Sequence, residues 1–191
     1  MMNYKELQWW LLVVLILTCF FNSDAVTKCP ADVVLAIDRS GSMYNIYSTV
    51  LDFVKTIVSG FELTDTMTRV GVIVFNNLAT IEVPIGDYID AADLNRKIDA
   101  LPRPTNDETF YGALAKIRGM FQADHRFDGQ PYKRFVAIFI TDGQDGAYTQ
   151  VQSEATAAHD DDIVIISIGK TDMSEVINKV STDIIDDITP R

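Results

Sequence analysis

Asp32-Val-Val-Leu-Ala-Ile-Asp38 (DVVLAID) runs directly into Arg39-Ser40-Gly41-Ser42. So continuous an apolar run is how a strand buried on both faces reads. Phe135–Ile140 and Ile163–Ile168 are two more such runs. Helical patterns fall between them. Val50, Val54, Ile57, Val58 and Phe61 share one side of a segment that ends at Ser59-Gly60, and Leu114, Ile117 and Phe121 share one side of 110–121. Residues 90–101 read as a short helix closed by Pro102 and Pro104, and 148–159 as a weakly amphipathic one. Residues 69–75 and 79–85 are β-rich and joined by Asn76-Asn77-Leu78, which reads as a hairpin turn. Apolar strands alternating with helices predict an α/β, doubly wound fold: a mostly parallel central sheet, one antiparallel edge strand, and helices on both faces. Ligands of such sheets sit at the carboxyl ends of the strands, so chemistry is expected just after each apolar run.

The 191 residues suit one domain with a full core. A hydrophobic share of 48% and a charged share of 23% argue against disorder. Sixteen Lys and Arg against 27 Asp and Glu give a net charge of −11. Such a surface repels nucleic acid and anionic lipid, and no basic cluster reverses that.

Lys5 precedes Trp9–Phe21, which carries no charge, and Ser23-Asp24-Ala25 offers the small residues a signal peptidase requires. The apolar run is short of the roughly 20 residues that span a bilayer. Residues 1–25 are therefore expected to be a cleaved signal peptide and 26–191 one exported domain, with no membrane insertion after cleavage. Cys19 would leave with the signal, and Cys29 would remain as an odd cysteine in an oxidising compartment. That suggests an intermolecular disulfide to a like or unlike chain, with a buried or capped thiol as the alternative. The chain has no Asn-x-Ser/Thr sequon, so N-glycosylation is not expected.

Asp38, Ser40 and Ser42 place one carboxylate and two hydroxyls on a tight loop at the end of the first strand. These are hard oxygen donors, which suit Mg²⁺ or Mn²⁺ rather than zinc or copper. Thr141-Asp142-Gly143 supplies a second carboxylate at the end of the 135–140 strand. If the two strands are neighbours, Asp38 and Asp142 come together and repel each other unless a cation lies between them.

VVLAIDRSGSM carries the D-x-S-x-S signature, and FITDG a matching later strand end; together they resemble the von Willebrand factor A domain, from about Cys29 to Val180. The resemblance implies a metal-ion-dependent adhesion site holding Mg²⁺ (or Mn²⁺). Ser40 and Ser42 would bind the ion directly, and Asp38 and Asp142 mostly through water. The family adds a threonine from the loop before the third main helix. Thr109 lies close to the family spacing, while Thr105 opens a Thr-Asn pair several residues earlier. Either could instead cap the helix, and Ser42 could cap the first one. The implied partner is an extracellular matrix protein or receptor presenting a Glu or Asp that completes the coordination.

The family usually closes with a further strand and a helix. After a helix around 174–180, opened by Asp172 and Glu175 in a capping-box pattern, only 181–191 remains. Residues 183–188 look like the closing helix, so the last edge strand is expected to be missing. No enzyme is expected: a phosphatase-like role for Asp38 lacks a second acid two residues on, and neither serine has the flanking glycines of a nucleophile elbow. His125 and His159 read as surface residues. The rival function is a metal-independent matrix or assembly protein of the same fold, linked through Cys29.

Overall fold

The structure, a computed structural model, describes residues 30–76, 78–105, 111–124, 126, 134–141 and 148–169. Within them the elements run β1 (Ala31–Asp38), a 3-10 turn (Gly41–Met43), α1 (Tyr47–Ser59), β2 (Thr68–Phe75), β3 (Ala79–Val83), α2 (Ala91–Asp99), α3 (Tyr111–Gln122), β4 (Phe135–Thr141), α4 (Tyr148–Asp160) and β5 (Ile163–Gly169). The expected signal peptide, Cys29 and the expected closing elements after 169 lie outside the described residues.

The strands form one sheet in the order β3-β2-β1-β4-β5. β1 pairs in parallel with β2 and β4, and β4 with β5; β3 runs antiparallel to β2 at the edge. This is the expected doubly wound, mostly parallel sheet. β1 is central, and every one of its residues is buried, as its apolar run requires.

Period-two alternation divides the core between the two faces. Val33, Leu35 and Ile37 meet Val70, Val72 and Val74 beneath Leu51, Val54 and Val58 of α1 and Leu94 and Ile98 of α2. Val34 and Ala36 meet Ile73, Phe75, Ala137 and Phe139 beneath Leu114, Ile117 and Phe121 of α3 and Val151, Ala155 and Ala158 of α4. Each helix contributes side chains about one turn apart, the spacing that made it legible. Fully burying one Leu, Ile or Val contributes about 1.5–3 kcal/mol, so these two layers dominate the favourable side of folding.

Most element bounds shift by a residue or so from the sequence reading, and three of the differences have a local cause. β3 stops at Val83 because Pro84 has no N–H to continue the ladder. α2 covers Ala91–Asp99 rather than 90–101: the Asp90 side chain caps it by accepting from the Ala92 and Asp93 amides at 2.7 and 3.1 Å. Helix α1 starts at Tyr47 with Ile46 at its N-cap, so Ser42 does not cap it.

From β1 the chain first winds outward to β2 and β3, and later to β4 and β5 on the other side. The winding reverses between β1 and β4, which is where an open α/β sheet leaves a crevice for ligands.

Candidate metal centre

At the carboxyl end of β1, the Asp38 carboxylate is held from two strands. One oxygen accepts the Ser40 backbone N–H at 2.7 Å, and the other accepts the Thr141 hydroxyl of β4 at 2.6 Å. Asp38, Ser40 and Thr141 are all buried, so these charge-assisted bonds lie away from competing water. Ser40 precedes the 3-10 turn with extended backbone, and Met43, buried beneath that turn, anchors it. Ser42 stays exposed on top.

The Ser40 and Ser42 hydroxyls share a hydrogen bond at 2.9 Å. Octahedral Mg²⁺ binds oxygen at about 2.0–2.1 Å, which puts adjacent ligands about 2.9 Å apart. The two hydroxyls therefore already stand at the separation of neighbouring ligands of such an ion. Donor chemistry and spacing fit a hard divalent cation. Asp38 lies behind them as a fixed, hydrogen-bonded carboxylate, suited to acting through water.

Three loops close over this edge. The Arg39 backbone N–H donates to Phe75 O at 2.8 Å, and its carbonyl accepts from the Thr105 N–H at 2.9 Å. The Arg39 guanidinium donates to Asn76 Oδ1 at 3.3 Å and to Arg103 O at 3.4 Å. The Asn76 side-chain amide donates to the Thr105 hydroxyl. Nearby, the Tyr47 hydroxyl donates to Pro102 O at 3.0 Å; burial pushes its pKa up to about 12 against the opposing charge of Arg39, so it stays a neutral donor. The loop carrying Thr105 is thus tied to β1, to the β2–β3 turn and to α1.

Of the residues singled out in the sequence, Asp38, Ser40 and Ser42 are brought together. Thr109, Asp142 and Cys29 lie outside the described residues. β1 and β4 are neighbours, as the pairing of the two aspartates requires: Ile37 pairs with Ile140, one residue before Thr141. Helix α3 is described from Tyr111, and the Thr105 hydroxyl accepts from the Asn76 side-chain amide. Sequence reading missed Arg39, Asn76 and Thr141 as structural partners of the site. For Thr141 a signal was present, since it stands in the Thr-Asp-Gly triplet; for Asn76 the turn propensity masked the side chain's second use. Gly169 on β5 pairs with Thr141, and any side chain there would collide with the Thr141 carbonyl, so β5 approaches this end of β4 closely.

The opposite edge of the sheet carries an ion network the sequence did not announce. Asp32, fully buried, accepts from Arg69 at 2.8 and 2.6 Å and from Arg126 at 2.7 Å. Asp124 joins through Arg69 at 2.8 Å. With every carboxylate oxygen of Asp32 met by a guanidinium, the cluster reads as a fastening of the loop after α3. His159 is exposed near the same edge, remote from Asp38, as expected of a surface residue. No group of three or more His, Cys, Asp or Glu side chains gathers among the described residues, and none of their helices is long and apolar enough to cross a membrane.

Comparison with known proteins agrees with this architecture. The family model for the von Willebrand factor type A domain matches residues 32–186. Mouse vitrin is 30% identical over 141 residues, 73% of this chain and 21% of its own length. The mouse collagen alpha-5(VI) chain is 29% identical over 141 residues, 73% of this chain but 5% of its own. The chain thus spans a small part of the curated relatives it matches. Among solved structures, proximal thread matrix protein 1 from the mussel byssus, with zinc occupying its MIDAS motif, superposes with a TM-score of 0.65 at 25% identity, over 79% of this chain and 39% of its own.

Proposed function

Since the chain belongs to the von Willebrand factor type A domain family, we propose that it is an exported adhesion module, residues 26–191 after loss of a signal peptide at 1–25. It binds an acidic residue of an extracellular protein through Mg²⁺ or Mn²⁺ held by Ser40, Ser42 and Thr109, with Asp38 and Asp142 acting through water. The observation that carries the reading is the 2.9 Å spacing of the Ser40 and Ser42 hydroxyls above a carboxylate pinned from two strands. Engagement of the Thr105 hydroxyl by Asn76 favours Thr109 as the loop ligand.

The residues divide the work by charge. The serine hydroxyls are neutral, so they position a cation without neutralising it. A bound divalent ion supplies electrophilic attraction for a carboxylate oxygen. Asp38 keeps its orientation through the Ser40 amide and the Thr141 hydroxyl. Buried Ser40 and exposed Ser42 leave one open side, toward solvent, for the partner's Glu or Asp. Among the described residues these side chains orient oxygen donors toward a cation, which supports binding as the output.

Calorimetric titration of Mg²⁺ and Mn²⁺ into the exported chain and its Ser42→Ala variant tests this. Ser42 is exposed, so the variant should fold; saturable one-site binding in the parent and its loss or marked weakening in the variant is expected. No binding to the folded parent would sink the mechanism and leave a metal-independent matrix role in front.

A further inference from the structure

The two faces of the sheet are not closed alike at β4 and β5. On one face, Phe135 and Ala137 of β4 and Ile163 and Ile165 of β5 are buried beneath α3 and α4. On the other, the helices that join the core among the described residues are α1 and α2. Strand alternation places Val136 of β4 and Val164 and Ile166 of β5 on that second face. Val136 and Ile166 are half-buried, and Val164 is 43% exposed where its neighbour Ile163 is 2% exposed.

Two ion pairs show which strands the helices cover. Lys97 of α2 meets Glu82 of β3 at 3.4 Å, and Lys55 of α1 meets Asp99 of α2 at 2.6 Å. Helix α2 therefore lies on the β3 side of α1, and the opposite flank of α1 looks out over β4 and β5. Phe53 stands two residues before Lys55, about 200° around the helix, and so on that opposite flank. Val50 and Ile57 share the flank at one-turn spacing. Phe53 is 41% exposed, while Val50 and Ile57 are partly buried. A surface helix ordinarily turns polar residues to an open flank. Here the flank and the strands beside it form an apolar groove, with α1 as its wall and β4 and β5 as its floor.

Residues 172–185 of the same chain match the groove in pattern and in length. Met173, Val176, Ile177, Val180 and Ile184 recur at the one-sided spacing of a helix, and Glu175, Asn178, Lys179 and Thr182 fall on the other side. As a helix the segment rises about 20 Å, close to the length of about 23 Å that a seven-residue strand such as β5 covers. Only Lys170 and Thr171 separate it from Gly169 at the end of β5, an ordinary length for a strand-to-helix connection. We infer that 172–185 is one continuous helix, rather than one helix around 174–180 and a second at 183–188, and that it seats in this groove. Its apolar stripe lies on Phe53, Val164 and Ile166. The seat draws on nothing at the metal centre. Filled by the chain itself, the groove no longer offers an apolar face for self-association.

Hydrogen exchange read by mass spectrometry on the exported chain tests this, because a packed helix is protected and an unpacked one of this length is not. Amides of 172–185 should exchange at least tenfold more slowly than those of an unstructured chain. Phe53→Asp and Val180→Asp each put a carboxylate into the groove, one from the wall and one from the occupant. Each should speed exchange across 172–185 tenfold or more. Lys179→Ala, on the outer side of the helix, should stay within twofold of the parent. Retained protection of β1 and β4 shows that each variant keeps its sheet, which the part-exposed position of Phe53 favours. Protection confined to 174–180 would overturn the continuous helix. Protection indifferent to Phe53→Asp, or free exchange throughout 172–185 in the folded parent, would overturn the groove as its seat. Sedimentation at two protein concentrations separates the chain's own segment from that of a second copy. Protection that fades on dilution, as a dimer dissociates, would overturn the intramolecular seat.

Discussion

The Thr141 hydroxyl donates a 2.6 Å hydrogen bond to the carboxylate of Asp38, joining the carboxyl ends of β4 and β1 where the winding of the sheet reverses. The bond orients the carboxylate from a strand remote in sequence, and it does so where both partners are buried. Thr141→Val keeps the shape and removes the donor. The expected cost is about 1–3 kcal/mol, because a buried carboxylate oxygen loses a hydrogen-bond partner without gaining water. A urea melt measures that cost, and a Mg²⁺ titration of the same variant should show weaker binding. Unchanged stability would mean that the Thr141 bond contributes nothing net.

Asn76 acts at a distance from the same centre. Its side chain accepts from Arg39 and Leu78 and donates to Thr105, so it holds three loops in one arrangement. Asn76→Ala should cost about 1–2 kcal/mol of stability, since neutral hydrogen bonds contribute about 1 kcal/mol each. The loop it restrains leads toward Thr109, so Mg²⁺ affinity should fall about tenfold, equivalent to about 1.4 kcal/mol. Calorimetry on Asn76→Ala beside Leu78→Ala separates the two roles: the second variant alters exposed apolar surface and should leave Mg²⁺ affinity alone.

The strands were legible because burial on both faces leaves an unbroken apolar run, and DVVLAID is such a run. The helices were legible from one-turn spacing, with errors of a residue or two at their ends, where a cap or a proline decides. Asp38, Ser40 and Ser42 stood out because the loop that carries them is contiguous. The clasp among Arg39, Asn76 and Thr105 was not legible, since it joins loops 37 and 29 residues apart in sequence. Asp32 was read as the first residue of an apolar run; its two arginines lie 37 and 94 residues away. A charge's burial cannot be read locally when its partners are that remote.

The ion network at the amino end of β1 gives a prediction with a sign in pH. Burial pushes Asp124 up, but the hydrogen bonds from Arg69 and from the Arg126 amide outweigh it and hold its pKa below the ordinary carboxylate value. A group so depressed contributes stability that is fully present above its unfolded pKa and is lost as pH falls through the folded one. Asp124→Asn should therefore be less stable than the parent at neutral pH, by about 1–2 kcal/mol. The gap should narrow below about pH 4, where the unfolded carboxyl takes up its proton. Thermal melts at neutral and acid pH decide it; a gap that widened on acidification would contradict the assigned direction.

Gly86 bears on the same network through its backbone. Its φ of +84° is one that L side chains rarely adopt, and a Cβ there would lie 3.2 Å from Cδ of Arg69. Gly86→Ala thus combines two costs. The left-handed backbone alone is worth about 1–2 kcal/mol. The added methyl also presses on the stem of the arginine that meets both oxygens of buried Asp32. Displacing that guanidinium would leave Asp32 to Arg126 alone, so the total should exceed the backbone term. A double-mutant cycle of Gly86→Ala with Arg69→Ala measures the second part: once the Arg69 stem and guanidinium are removed, the Gly86 cost should fall toward the backbone term. Full additivity of the two substitutions would mean that Gly86 acts through its φ and leaves the ion network untouched.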